Sequence, residues 1–292
     1  MERFQQSEIV GYYHICSDGN YSLVLFQDEE DFKAAMNRVA VCVLKTGIII
    51  IAFVLMDNHF HFEVKACSSE QCTSFINEFK RLTGQYNQRK YGDRNSLDSL
   101  PIQIIPLTTE DYVRTLLCYI IKNPTKARVE MFYDYRWGTG NLYFRTERQK
   151  REYITAGSLG VNQCRRIFRT RTRIPDNWRI VDEVITPENY VPVEDVQQLF
   201  KTTRSFMYFL SLNKDDEIEQ GMGEWHEISL KDSELRSIRN ELSLELFGIG
   251  KIHSLSAPQR HKLAKIIRRQ YLCSKKQIAR IVQLPYDQLS DL

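Results

Sequence analysis

The 292-residue chain has little net charge, no long apolar run and no paired cysteine motif, and each absence argues against a class of protein. A formal charge of +3 is too small for a nucleic-acid argument to rest on the total, so that argument depends on where the cations sit. The seven cysteines, at 16, 42, 67, 72, 118, 164 and 273, are scattered, odd in number and without a CxxC pair. This speaks against a disulfide framework and a zinc ribbon, and for reduced thiols in a cytoplasm. The longest apolar run, Gly47 to Met56, is about half of the roughly twenty residues that span a bilayer, and it reads as a buried strand. The opening MERFQQSEIV is polar and lacks the apolar region of a secretory leader, so the expectation is a cytoplasmic protein without a membrane segment. Internal repeats and low-complexity tracts are also missing.

A hydrophobic fraction of 42%, with 11% aromatics, is enough for a real core. Val10 to Ser17 reads as a first strand before the turn signal Asp18-Gly19-Asn20. Asp28 to Lys45 switches to a helical period through Phe32, Ala35, Met36, Val39 and Val43. Gly47 to Leu55 and Phe60 to Lys65, separated by Asp57-Asn58, read as a hairpin. A helix over Glu70 to Arg89, a short strand over Ile102 to Ile105, and a helix from Thr109 to Lys122 complete the unit, with Asn123-Pro124 expected to end the last helix. The expected fold is α+β, an antiparallel sheet with covering helices, followed by a smaller all-α domain. Pro175 to Pro192 reads as an extended connector and Glu194 to Leu212 as one amphipathic helix, and 231 to 247, 256 to 270 and 274 to 283 read as further helices. The expected divisions are 1–142, 143–223 and 224–292.

Three positions carry candidate chemistry. Alternate residues of a strand share a face, so His59-Phe60-His61 would aim both imidazoles one way and bury Phe60 on the other. Such a pair can chelate a divalent ion, although an isolated HxH is more often two structural or solvent-facing histidines. Residues four apart share a helical face, so Tyr119 and Asn123 project together, and the Asn123 carbonyl oxygen can join the same ion. An amide oxygen favours magnesium or manganese over zinc.

The run Phe53 to Phe62, with Asn58-His59-Phe60-His61 inside it, resembles the HUH motif of the single-tyrosine transposases of insertion-sequence 200 type. Tyr119 to Ala127 resembles their tyrosine helix, and Tyr13-His14-Ile15 followed by Gly19-Asn20 resembles the opening strand of the REP-associated branch. The resemblance covers roughly residues 10 to 137 and closes on Trp137. It implies a ferredoxin-like catalytic domain, a metal held by His59, His61 and Asn123, and cleavage and rejoining of single-stranded hairpin DNA through a 5′-phosphotyrosine at Tyr119. Two features depart from the pattern: Asp57 stands where a proline is common, and 92 to 106 lacks the Gly-Arg-Phe segment of that branch. The rival readings are a catalytically silent DNA-binding regulator and a nuclease or phosphodiesterase that uses water. Monomer and homodimer are both compatible with the sequence.

The cations are clustered. Residues 145 to 173 hold nine Lys/Arg against two acids, among them Arg145, Arg148, Lys150, Arg151, Arg165, Arg166 and Arg169. Tyr143, Phe144, Tyr153 and Phe168 are interleaved, the mixture by which single-strand binders follow phosphates and stack on bases. Between Phe247 and Tyr286 there are nine Lys/Arg and no acid. Ser274 to Val282, with Lys275, Lys276 and Arg280, followed by Gln283-Leu284-Pro285, resembles the first helix and turn of a helix-turn-helix. Tyr286 to Leu292 would be its short reading helix, and duplex DNA its partner.

Overall fold

The computed structural model describes residues 11–17, 24–92, 97, 100–144, 152–212, 214, 218, 232–270 and 275–289. The chain divides into two compact units, Met1–Asp215 and Asp216–Leu292.

The first unit is built on a four-stranded antiparallel sheet of β1 (Gly11–Ser17), β2 (Ile49–Leu55), β3 (Phe60–Ala66) and β4 (Ile102–Leu107), in the order β2-β3-β1-β4. Helix α1 (Glu29–Thr46) links β1 to β2, and α2 (Ser69–Tyr91) links β3 to β4, which is the split βαβ arrangement. Both helices start on side-chain caps, Asp28 accepting from the Asp31 N–H and Ser68 from the Gln71 N–H. They stop at Gly47 and Gly92, whose φ of 66° and 75° are left-handed values that glycine adopts without a Cβ clash.

Period-two alternation gives the sheet two unlike faces. Phe60 and Phe62 meet Phe75 and Phe79 of α2 on one face, in an aromatic cluster with ring separations of 5.2 to 5.6 Å. The register pairs Cys16 with His61 and His14 with Glu63, so these four polar side chains share the opposite face. A third helix, α3 (Glu110–Lys126), packs there against β2 and β3. The free side of β2 is covered by the chain at 137–139: the Leu55 N–H donates to Trp137 O at 2.9 Å and the Thr139 N–H to Phe53 O at 3.0 Å.

Three elements differ from expectation. Helix α3 runs through Pro124 to Lys126 instead of stopping at Lys122. Proline removes one N–H, but near a C-terminus that costs a single bond, and the Asn123 and Pro124 carbonyls still accept from Ala127 and Val129. The segment 194 to 212 is two helices, α5 (Val193–Phe200) and α6 (Thr203–Ser211), because Lys201 turns to φ 62° and Thr202 caps a new start through the Ser205 N–H. The stretch 175 to 192 is no plain connector. It carries β6 (Arg179–Val181) and β7 (Val184–Ile185), which join β5 (Ile154–Thr155) in a second sheet. Asn37 of α1 fastens that sheet, donating to Glu183 O and accepting from the Ile185 N–H, both at 2.8 Å. Helix α4 (Ala156–Phe168) follows β5.

The second unit contains α7 (Asp232–Phe247), α8 (Ala257–Gln270) and α9 (Lys275–Val282) around a core that includes Leu235, Leu263, Ile267, Ile278 and Ile281. Arg239 donates to Ile281 O at 2.7 Å and so satisfies a carbonyl at the end of α9. Of the expected reading helix, Tyr286 to Leu292, the described residues Tyr286–Leu289 form a single 3-10 turn, and 290–292 lie outside the described residues. Among the described residues no helix is long and apolar enough to cross a membrane.

Candidate active site between the sheet and the tyrosine helix

The site assembles on the polar sheet face beneath α3. His61 is the second residue of β3 and is buried. His59 lies one residue before the strand rather than within it, where its carbonyl accepts the Met56 N–H at 2.8 Å and closes the Asp57-Asn58 turn. Strand alternation therefore orients Phe60 and His61 but not His59, which a turn delivers to the same place. The two imidazole centroids are 5.1 Å apart at 79°.

Helix α3 brings the second half. The Tyr119 ring stands edge-on to His61 at 5.5 Å, and Asn123, one turn on, places Oδ1 3.3 Å from His59 Nε2. Both residues are buried. Asn123 Nδ2 donates back to Tyr119 O at 3.0 Å, so the amide oxygen is the end turned toward His59. On the far side of that ring, His59 Nδ1 lies 2.7 Å from Asn58 Oδ1. With Asn58 as acceptor, Nδ1 carries the ring proton and Nε2 presents a lone pair. The other tautomer would donate from Nε2 to Asn123 Oδ1; in this one His59 Nε2 and Asn123 Oδ1 face each other as two acceptors. A cation satisfies that arrangement: two atoms bound to one ion at about 2.1 Å and a right angle lie about 3.0 Å apart. With the His61 ring 5.1 Å from that of His59, these side chains are of the types that could hold a small divalent ion.

Burial keeps His14 and His61 neutral. Burial pulls the His61 imidazole well below its ordinary range, and the neighbouring His59, His14 and Lys126 lower it further. Burial alone brings His14 down to about 3. Neutral rings are what metal ligation requires.

Three participants escaped the sequence reading. Lys126 holds its ammonium 3.9 Å over the Tyr119 ring. The i, i+4, i+7 spacing of 119, 123 and 126 was the available signal, since these positions share a face. His14 Nε2 lies 3.0 Å from His61 Nδ1, and His14, Cys16 and His61 bring their ligand atoms within 4.8 Å of one another, a group that could hold a metal ion. Only strand register reveals that β1 contributes to this face. Tyr112, the other tyrosine of the helix, sits two turns before Tyr119, about 10 Å along the axis. Asp57 is exposed, and its backbone carbonyl accepts from Leu25 and Phe26.

The expected DNA-contacting residues divide. Arg165, Arg166 and Arg169 are exposed on α4 and at its end, whereas Arg145, Arg148, Lys150 and Arg151 lie outside the described residues. The interleaved rings are mostly not available for stacking. Tyr143 is buried and donates to Ile51 O, Phe144 stacks on Phe206 at 4.8 Å, and Phe168 is buried. Tyr153 is the exception, half exposed and capped by the Arg179 guanidinium at 4.8 Å. In the second unit Lys275 and Lys276 open α9, and Arg280 is exposed on it.

No protein-family model and no curated protein matches the chain. Among solved structures, a REP-associated tyrosine transposase bound to a REP hairpin is similar over 48% of this chain and 82% of that one, at 16% identity and a TM-score of 0.37.

Proposed function

We propose that the first unit is a transposase-like strand transferase that cuts and rejoins single-stranded hairpin DNA through Tyr119. The observation that carries this reading is the approach of His59 Nε2 to Asn123 Oδ1, 3.3 Å apart, one helical turn from a tyrosine that lies against His61. His59, His61 and Asn123 would hold magnesium or manganese, which when bound supplies Lewis-acid polarisation of the scissile phosphate.

The Tyr119 oxygen attacks phosphorus, the bond to the 3′-oxygen breaks, and the products are a 5′-phosphotyrosine and a free 3′-hydroxyl. The phenol proton leaves and the departing 3′-oxygen gains one. Lys126, beside the Tyr119 ring, offsets negative charge that gathers on the nucleophile and the phosphate. Because the phosphodiester energy is kept in the tyrosyl ester, a 3′-hydroxyl can reverse the step and join a new strand. Exposed Arg165, Arg166 and Arg169 would follow the DNA backbone.

The test is incubation of the full chain with labelled hairpin DNA and Mn²⁺ or Mg²⁺, followed by denaturing electrophoresis. A covalent adduct is expected, with loss of at least a hundredfold in Tyr119→Phe. An adduct that survives this substitution overturns the assignment. A free 5′-phosphate without adduct would mean hydrolysis by water, and tight binding without cleavage would mean a DNA-binding regulator.

A further inference from the structure

His61 has two ring nitrogens, and the fold offers each a different set of partners. Nδ1 faces His14 Nε2 at 3.0 Å, with Cys16 Sγ in the same buried group. That leaves Nε2 as the nitrogen that can serve with His59 and Asn123. We propose that His14 Nε2, Cys16 Sγ and His61 Nδ1 form a second metal site, selective for zinc-class ions, whose occupation withdraws His61 from the His59–Asn123 set. The withdrawal rests on the reading above; the second site itself does not.

Geometry supports the site. Ligands of a tetrahedral zinc lie about 3.3 to 3.6 Å apart, so the two nitrogens need to part slightly and the sulfur to approach by about 1 Å, within the reach of small side-chain rotations. Alternation puts residues 14 and 16 of β1 on one face, and the Cys16–His61 pairing carries that face to β3, so three strand-borne ligands converge without any loop. Gln103, paired with Cys16 from β4, has Oε1 3.7 Å from Cys16 Sγ and offers an oxygen as fourth ligand. Two nitrogens and a thiolate suit zinc or cobalt, whereas two nitrogens and an amide oxygen suit magnesium or manganese.

Proton balance makes the two sites exclusive. When His61 Nε2 serves as a ligand, its proton sits on Nδ1 and is donated to His14 Nε2, and the His14 proton is on Nδ1. Binding of zinc between the rings takes both inner lone pairs. The His61 proton then moves to Nε2, Cys16 loses its thiol proton to solvent, and the His14 tautomer is unchanged. A neutral imidazole carrying a proton on Nε2 has no lone pair left for a second ion.

Titration of the full chain with Co²⁺ tests this, because a cobalt–thiolate bond gives a near-ultraviolet charge-transfer band that imidazole and amide ligands do not. The band is expected in the wild type and in His59→Ala, and is expected to be absent in Cys16→Ser. No band in the wild type, or an undiminished band in Cys16→Ser, overturns the site. If Cys16→Ser does not fold, His14→Gln replaces it, with cobalt affinity expected to fall at least tenfold; an unchanged affinity likewise overturns the site. With Mn²⁺ and hairpin DNA, equimolar Zn²⁺ should suppress the wild-type adduct, at least tenfold more strongly than in Cys16→Ser. Equal suppression overturns the exclusion. An enzyme that forms no adduct under any condition would defeat the proposed function while leaving the cobalt result to decide the site.

Discussion

Glu63 shows what a single residue costs this fold. It sits directly across from His14 on the polar sheet face, fully buried, and neither carboxyl oxygen has a hydrogen-bond partner among the described residues. Burial pushes its carboxyl well above the ordinary value of 4.5, so it is held as the neutral acid. The unfolded chain releases this proton above pH 4.5 while the folded chain keeps it, so folding binds a proton and stability falls as pH rises. The slope is about 1.4 kcal/mol per pH unit until the folded carboxyl itself ionises. Glu63→Gln should remove that slope. Urea midpoints at pH 5 and pH 8 should therefore converge in the variant relative to the wild type, and an unaltered difference would mean that Glu63 is ionised in the folded chain.

At the scale of elements, the edge of β2 depends on a close approach. Gly138 forms an isolated bridge with Val54, and a Cβ there would lie 2.7 Å from Phe53 O and 3.2 Å from Val54 Cα. These are backbone atoms of the strand that leads into His59, so they cannot rotate aside. Gly138→Ala should destabilise the first unit by about 1 to 3 kcal/mol, the usual cost of overpacking, seen as a lower thermal midpoint. No change in midpoint would show that this edge can open without loss. Helix α3 illustrates the opposite tolerance. Its proline lies where the helix is about to end, so Asn123 keeps its helical register with Tyr119 and back-bonds to it at 3.0 Å. The turn at Asp182-Glu183, with φ of 50° and 66°, takes a backbone form normally given to Asn-Gly, and Asn37 and Arg136 hold it from outside.

For the molecule as a whole, charge is carried by segments rather than by the total. Nine cations without an acid lie between Phe247 and Tyr286, and we propose that they bind phosphate groups of DNA. Lys275→Glu with Lys276→Glu should lower affinity for hairpin DNA and reduce the slope of log affinity against log salt by about 0.7 to 0.9 for each phosphate that is no longer neutralised. Anisotropy titrations over a salt series measure this, and an unchanged slope would take these lysines out of the interface.

Much of this is legible in the sequence. Strong periods mark α1, α2, β2 and β3, because burial on one face imposes 3.6- or 2-residue spacing regardless of partners. Helical spacing alone joins Tyr119 to Asn123. The breaks at Lys201 and 182–183 are not legible, since they need backbone forms their residues do not advertise. Nor is the fate of Tyr143, Phe144 and Phe168, whose rings are consumed by packing that only distant chain segments supply. The sequence by itself determined which side-chain types are on offer, two imidazoles, a phenol and an amide, and the helical pairing of Tyr119 with Asn123, because those depend on residue identity and local geometry. Tertiary structure alone decided that His59 arrives by a turn, that Lys126 lies over the tyrosine, and that β1 sets His14 and Cys16 against the inner nitrogen of His61. Strand register is a long-range choice, and no local period records it.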